Sequence, residues 1–347
     1  MNNVQADPNQ PTGAVPAADS LSTIVFKAVF QSEASQRILA FAGLVILIIF
    51  FSVASPAFRT EQNFLNIALA TAVNGVLALG VTFVIISGGI DLSIGTVMSF
   101  GAVMSAIFIT NFNMPVPVGL LAGLLAGTLA GFINGTVIAR FKIPPFIATL
   151  GMLNIAKGAA LITSGVKPVY YPDGANISQI AIGSVIGNFI PWLPIPNAVL
   201  VMFVAAIVAS LILTRTVLGR YTFALGSNEE AARLSGVNVN AWKIGIYMLC
   251  GTFAGLAGIL IASRSNSAQP SQGQGFELNA IAAAVIGGTS LSGGEGTILG
   301  TIIGAFVIST LTTGLQIMSV PQEWQLVITG LIVILAVYLD IARRRSA

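Results

Sequence analysis

FLNIALATAVNGVLALGVTFVIISGGIDLS, residues 64 to 93, decides the fold. Positions 64–87 carry no charged side chain, and these 24 residues exceed the roughly 20 that a helix needs to cross a hydrocarbon core of about 30 Å. Backbone polar groups in hydrocarbon must satisfy one another, so the run reads as a membrane-spanning helix. Gly88-Gly89 then closes it, and Asp91 and Ser93 follow before the next apolar run begins at Ile94. Runs of this kind recur almost end to end. We read ten spans, at 38–54, 64–87, 94–109, 116–139, 145–163, 198–213, 244–262, 278–286, 297–317 and 324–341, the third, sixth and eighth being short. With 55% hydrophobic residues, 8% charged residues and a mean hydropathy of +0.90, the 347-residue chain is excluded from the ordinary soluble classes. The expected fold is an all-α polytopic membrane protein of about ten helices, with a parallel internal repeat and broken or short helices.

Orientation follows from the basic residues near span ends. With the N-terminus inside, Lys27, Arg37, Arg140, Lys142, Arg215, Arg220, Arg233, Lys243, Arg343, Arg344 and Arg345 lie on the cytoplasmic side, and only Arg59, Lys167 and Arg264 lie outside. Both termini are therefore expected in the cytoplasm, and a pI of 9.2 reflects topology rather than nucleic-acid binding. Residues 1–36 are polar and rich in Pro, Ala and Ser, which predicts a disordered cytoplasmic tail without a signal peptide. The membrane domain then covers 37–342, with a cytoplasmic loop at 215–242 and an external loop at 164–197, and 343–347 form a basic tail. One cysteine, Cys250, and no histidine exclude an internal disulfide and any histidine-containing metal site or triad. Cys250 reads as a packed thiol in an apolar span.

The hexapeptide at 88–93, GGIDLS, recurs as GGTSLS at 287–292, each copy closing one span and opening the next. The copies are six spans apart, an even number, so the duplication predicts parallel halves, with broken helices at matching positions near a transport route. Gly119, Gly123, Gly127, Gly131 and Gly135 recur every four residues along the fourth span, and Gly296, Gly300 and Gly304 along the ninth. Such stripes predict close helix packing.

Between the sixth and seventh spans, residues 219–239 read GRYTFALGSNEEAARLSGVNV. Ser227 followed by Glu230 forms a capping-box pattern, Glu229 and Glu230 sit where the helix dipole favours acids, and Gly236 supplies a stop. Glu229 and Arg233 stand at i and i+4 in the favourable order. The pattern predicts a polar cytoplasmic helix of about two turns, a handle for a soluble partner.

LSGGE at 291–295 resembles the LSGGQ signature of ABC ATPases, yet the chain contains no Gly-Lys pair and so no phosphate-binding P-loop. Its glycines read instead as a break between spans. Asp91, Lys157, Glu277 and Glu295 are the ionisable groups in or beside the membrane, where charge is costly and marks candidate function. Asp91 and Glu295 are expected to reach interfacial water, and Lys157 either lines a polar cavity or snorkels outward. The candidate solute route comprises Asn74, Asp91, Ser93, Asn134, Thr149, Asn154, Lys157, Asn279 and Thr289. The external loop carries Pro168, Tyr170, Tyr171, Pro172, Asp173, Trp192 and Pro194, residues suited either to docking or to interfacial anchoring.

GGIDLSIGTVMS at 88–99, FINGTVIARFKIPPFIATLGM at 132–152, the segment 214–239 and SAQPSQGQGFELNAIAAAVIGGTSLSGGEGTILGT at 267–301 resemble the permease subunits of ABC sugar importers of the ribose, xylose, galactose and inositol type. The resemblance implies a homodimer of ten-span subunits in a bacterial inner membrane, cytoplasmic ABC ATPase subunits that consume ATP and Mg2+, and a periplasmic or extracellular sugar-binding protein. It makes Ser227, Asn228, Glu229, Glu230, Ala231, Ala232, Arg233, Leu234, Ser235 and Gly236 the coupling helix seated on the ATPase. No cofactor or metal is expected in this chain, and no catalytic residue. Glu295 departs from the family, where a basic residue is expected. The alternatives left open are a permease for branched-chain amino acids or nucleosides and an ion-coupled secondary transporter using Asp91 and Lys157.

Overall fold

The computed structural model describes residues 33–345. Their helices are numbered here in chain order. The first, α1 (Glu33–Ala54), leads through a 3-10 turn at Pro56–Arg59 into α2 (Glu61–Ile86). The first break separates α2 from α3 (Ile94–Thr110), after which α4 (Val116–Arg140) and α5 (Pro145–Ser164) complete the first half. Prolines at the starts of α4 and α5 cost nothing there, because the first turn's N–H groups lack intrahelical partners. The chain then forms a two-residue strand β1 (Val169–Tyr170), two short helices α6 (Ser178–Ala181) and α7 (Val185–Phe189), and α8 (Asn197–Arg215). Next come α9 (Val217–Leu234), α10 (Val239–Ser265), strand β2 (Ser267–Ala268), α11 (Phe276–Ile286), α12 (Ile298–Ile317) and α13 (Gln322–Arg345). The ten expected spans correspond to α1–α5, α8 and α10–α13.

Length sorts these helices. Among the described residues seven are long and apolar enough to cross a bilayer, while α3 has 17 residues, α11 only 11, and the apolar part of α13 runs over Gln322–Tyr338. The sixth span is longer than the sequence reading gave: α8 runs for 19 residues because its polar ends, Asn197 and Thr214-Arg215, stay helical. At about 1.5 Å per residue, α11 covers roughly 17 Å, a little over half the hydrocarbon thickness. The chain between β2 and α11 makes up the rest by dipping into the bundle, where Gly273 N–H donates to Ser99 Oγ on α3 at 2.7 Å.

Helix α2 forms the centre. Of its most apolar window 94% is buried, against 17% for α1 and 22% for α5, which lie at the periphery. Around α2 pack α8, α10, α11 and α12. Between lipid-embedded helices hydrophobicity gives no net drive, and small residues that let backbones approach take its place. The α4 stripe does this: Gly127 lies against the backbone of Gly251 and Gly255 on α10, and Gly131 against Tyr247. Cys250 is a buried free thiol on α10. In the ninth span the expected stripe is shorter than read, because Thr297 caps α12 and leaves Gly296 in the preceding break.

At one end of the bundle β1 pairs antiparallel with β2, and Tyr171 and Ile177 bury themselves beside α3 and α10. Much of the loop expected outside is open, with Val166 72% and Tyr170 67% exposed near its start and Phe189 83% and Trp192 80% exposed near its end. Helix α9 lies at the opposite end. Of the expected tail, residues 1–32 lie outside the described residues, whereas Glu33 already starts α1. At the other terminus α13 continues through Arg345, so the expected basic tail is helical up to that point, and 346–347 lie outside the described residues.

Candidate functional site

Both Gly-Gly breaks close their helices in the same way. Gly88 (φ +79) donates to Ile85 O and Gly89 to Val84 O, each at 2.9 Å; Gly288 (φ +92) donates to Val285 O and Thr289 to Ala284 O, also at 2.9 Å. The left-handed glycine is therefore Gly88 in one copy and Gly288 in the other, one position away from the hexapeptide alignment. Helix-end geometry wins over letter matching because only one residue can occupy the left-handed position that ends each helix. The second break is longer and contains two more left-handed glycines, Gly293 and Gly294. Here LSGGE serves as a turn, as the sequence indicates.

The first break holds a closed polar cluster. Asp91, expected at interfacial water, is instead 2% exposed. Its Oδ1 accepts from the Ser93 backbone N–H at 2.8 Å and from Ser93 Oγ at 2.6 Å, and Ser93 Oγ accepts in turn from Asn134 Nδ2 on α4 at 2.9 Å. Burial is tolerable because each polar group has a partner. Thr149 on α5 donates chiefly to Pro145 O at 2.9 Å, with Ile90 O at 3.5 Å, and Tyr247 OH reaches Ile90 O at 3.4 Å from α10. Asp91, Ser93, Asn134 and Thr149 are thus brought together around one loop.

The remaining candidates lie elsewhere. Asn74 bridges α2 and α12 through Ser309 Oγ at 3.2 Å, one helical interface with the Thr82–Thr301 pair at 2.7 Å. Thr289 is buried in the second break with its hydroxyl unpartnered. Asn154 is exposed on α5, and Lys157, one turn on, donates to Gln274 Oε1 at 3.3 Å. Asn279 is half-buried on α11, and Glu295 is exposed in the second break. Sequence reasoning missed Gln274, Ser309 and Tyr247, whose partners are remote along the chain.

At the far end α9 consists of two helices, 217–227 and 229–234, that meet at Asn228, whose backbone is extended (φ −163, ψ 99). Ser227 was expected to cap the polar part, but Asn228 does so, its Oδ1 accepting from Ala231 N–H at 2.9 Å. Asn and Ser cap about equally well, and tertiary contact decides: Ser227 is seated against Gly294, where a Cβ would come within 2.8 Å of its hydroxyl. The box with Glu230 therefore does not form. Past the cap, Glu229 binds Arg233 Nη2 at 3.0 Å as expected, and also Lys243 Nζ on α10 at 2.6 Å. Glu230 lies 3.7 Å from Arg233. Gly236 (φ +83) ends the helix with its N–H on Arg233 O, and Val237 N–H returns to Ala232 O at 3.1 Å, leaving Leu234 81% exposed at the tip. Ala231 and Ser235 are exposed on this unit, while Ala232 is buried against the bundle.

The sequence that builds this bundle, with its charged helix at one end and no phosphate loop, matches a known family. The profile described as branched-chain amino acid transport system / permease component matches residues 63–337. The chain belongs to this family of ABC-importer permeases. Over 312 residues it is 42% identical to the ribose import permease protein RbsC of Bacillus subtilis, covering 90% of this chain and 94% of the relative. RbsC of Escherichia coli K12 is 40% identical over 302 residues, covering 86% and 91%, and the xylose transport system permease protein XylH of that strain is 32% identical with 99% and 100% coverage. No solved structure matches. The resemblance to permeases of ABC sugar importers, drawn from four sequence blocks, is borne out, and the permease is a multi-pass protein of the bacterial inner membrane.

Proposed function

We propose that this permease carries a monosaccharide of the pentose, hexose or inositol type into the cytoplasm by alternating access, driven by ATP hydrolysis in separate ABC ATPase subunits. The observation that carries the reading is the unit Asn228–Gly236: a capped, salt-bridged helix with an exposed apolar tip, held outside the bundle by a chain with no phosphate loop of its own. A rigid protruding element suits mechanical contact, since little conformational entropy is lost on docking. The sugar assignment rests on the ribose and xylose relatives, which match over nearly the whole chain.

Two copies enclose the route in this reading. Asn154 and Gln274 are exposed and Lys157 is half-buried, on a helix that crosses the bundle and on the loop that dips into it. Polar groups at such depth do not face lipid, and a water-filled path between two permeases accommodates them. Asp91, Ser93, Asn134 and Thr149 support the wall of that path, while Asn74 and Asn279 on their helices and Thr289 in the second break lie behind it. The external loop receives the sugar-binding protein, and both termini and α9 face the cytoplasm, in line with the excess of basic residues there. ATP and Mg2+ remain with the partner.

Joint reversal of Glu229, Glu230 and Arg233 (E229K/E230K/R233E) tests the assignment. The ATPase subunit is expected to be lost from the purified complex and uptake to fall by at least tenfold. Undiminished ATP-driven uptake refutes the coupling role.

A further inference from the structure

Three segments far apart in the chain meet where α9 bends. Gly226 directly precedes Ser227 there, and a Cβ at Gly226 would collide with the carbonyl oxygen of Ile86 and lie 2.5 Å from the amide nitrogen of Gly294. Those two groups are themselves joined, Gly294 N–H donating to Ile86 O at 2.8 Å. A Cβ at Gly293 would lie 3.0 Å from Gly226 Cα and 3.1 Å from Gly88 Cα. Gly88, Gly293 and Gly294 all have φ near +80. The end of α2, the second break and the elbow of α9 therefore touch backbone to backbone, with no side chain between them. Side chains yield by rotating about χ angles, whereas hydrogen-bonded backbone does not.

We propose that Gly226 is a positioning residue for energy coupling: it keys the elbow of α9 into both Gly-Gly breaks, so that the three segments move as one body. The inference rests on the reading of Asn228–Gly236 as the ATPase contact. Displacement of that helix reaches the break before α3 and the break before α12 together, and with them both repeats. This accounts for the bend at Asn228: it lets the polar helix project outward while Leu225 stays buried and Gly226 keeps its backbone against Ile86 and Gly294.

The test uses the complete complex of permease, ATPase and binding protein in nanodiscs. In Gly226→Ala the ATPase is expected to co-purify and to hydrolyse ATP at a basal rate within twofold of the parent, while uptake and hydrolysis stimulated by the binding protein each fall at least tenfold. An intact complex with uptake within twofold of the parent overturns the proposal. Should Gly226→Ala fail to assemble, the pair Ser227→Cys and Gly294→Cys decides, since Cys250 is buried and does not compete. Oxidation is expected to cross-link that pair and to leave uptake within twofold of its own reduced form. Uptake abolished by oxidation and regained with reductant overturns the proposal, because the contact then has to open. Retained uptake in the charge-reversed variant of α9 would instead refute the underlying coupling assignment, whatever Gly226 does.

Discussion

Ser93→Ala removes one oxygen from the first break and with it one hydrogen bond from Asp91 and one from Asn134. Ser93 Oγ donates to Asp91 at 2.6 Å and accepts from Asn134 at 2.9 Å, and all three residues are buried. The lost bond to the Asp91 carboxyl is worth about 1.5–3 kcal/mol if that group is charged and about 1 kcal/mol if it is not. Leaving the Asn134 amide unsatisfied adds about 1–3 kcal/mol. The backbone N–H of Ser93 still reaches Asp91 at 2.8 Å and retains part of the cluster. We therefore expect a loss of about 2–5 kcal/mol, measured by denaturant unfolding in mixed micelles. Asn134→Ala removes the stranded amide in advance, so in that background Ser93→Ala is expected to cost at least about 1 kcal/mol less. A Ser93→Ala cost below about 0.5 kcal/mol, or strict additivity in the double-mutant cycle, refutes the reasoning that the cluster holds the break.

Three further outcomes are expected. Asn228→Ala removes the cap of the polar helix and is expected to destabilise it by about 1 kcal/mol, with Asn228→Asp restoring most of that; hydrogen exchange at Ala231 and Ala232 reads the change. Gly236→Ala meets no atom within 4 Å but must hold φ +83, so its cost is set by backbone strain alone, about 1–2 kcal/mol on the same measurement. Gly127→Leu drives a side chain into the backbone of Gly251 and Gly255, and the detergent-solubilised protein is expected to lose more than about 3 kcal/mol or to fail to accumulate; normal yield and melting would count against the α4–α10 packing.

What the chain's letters reveal is mostly local. Absence of charge over 64–87 marks α2, Gly236 marks the end of α9, and Glu229 with Arg233 marks its exposed face, because each depends on neighbours within a few positions. The polar part of α9 was placed correctly at its far end and one residue off at its start, since Ser227 and Asn228 are equivalent caps until Gly294 comes into contact with one of them. The first half of α9, residues 217–227, is not legible as helix in the sequence because two glycines and a mixed face hide its period. Lys157 stood out as an intramembrane charge, yet its partner Gln274 lies 117 positions away on a loop with no periodic signal. Asp91 could not be assigned to the interior from sequence, as the residues that make its burial tolerable include Asn134 from another helix. The repeat was visible as two hexapeptides, but its structural register was not, because the left-handed position and not the glycine count defines equivalence.

The brevity of α11 also bears on biogenesis. Insertion of a nascent helix into a bilayer is decided by the transfer energy of about 20 residues, and Phe276–Ile286 supplies only 11. This segment is too short to enter as an independent hairpin half. Its place is fixed by packing against α2 and α12, one made long before it and one directly after it. Threading of the second half is thus expected to wait for Ile298–Ile317 to leave the ribosome, since a nascent chain arrested between α11 and α12 lacks the α12 contacts that hold Phe276–Ile286 in the bundle.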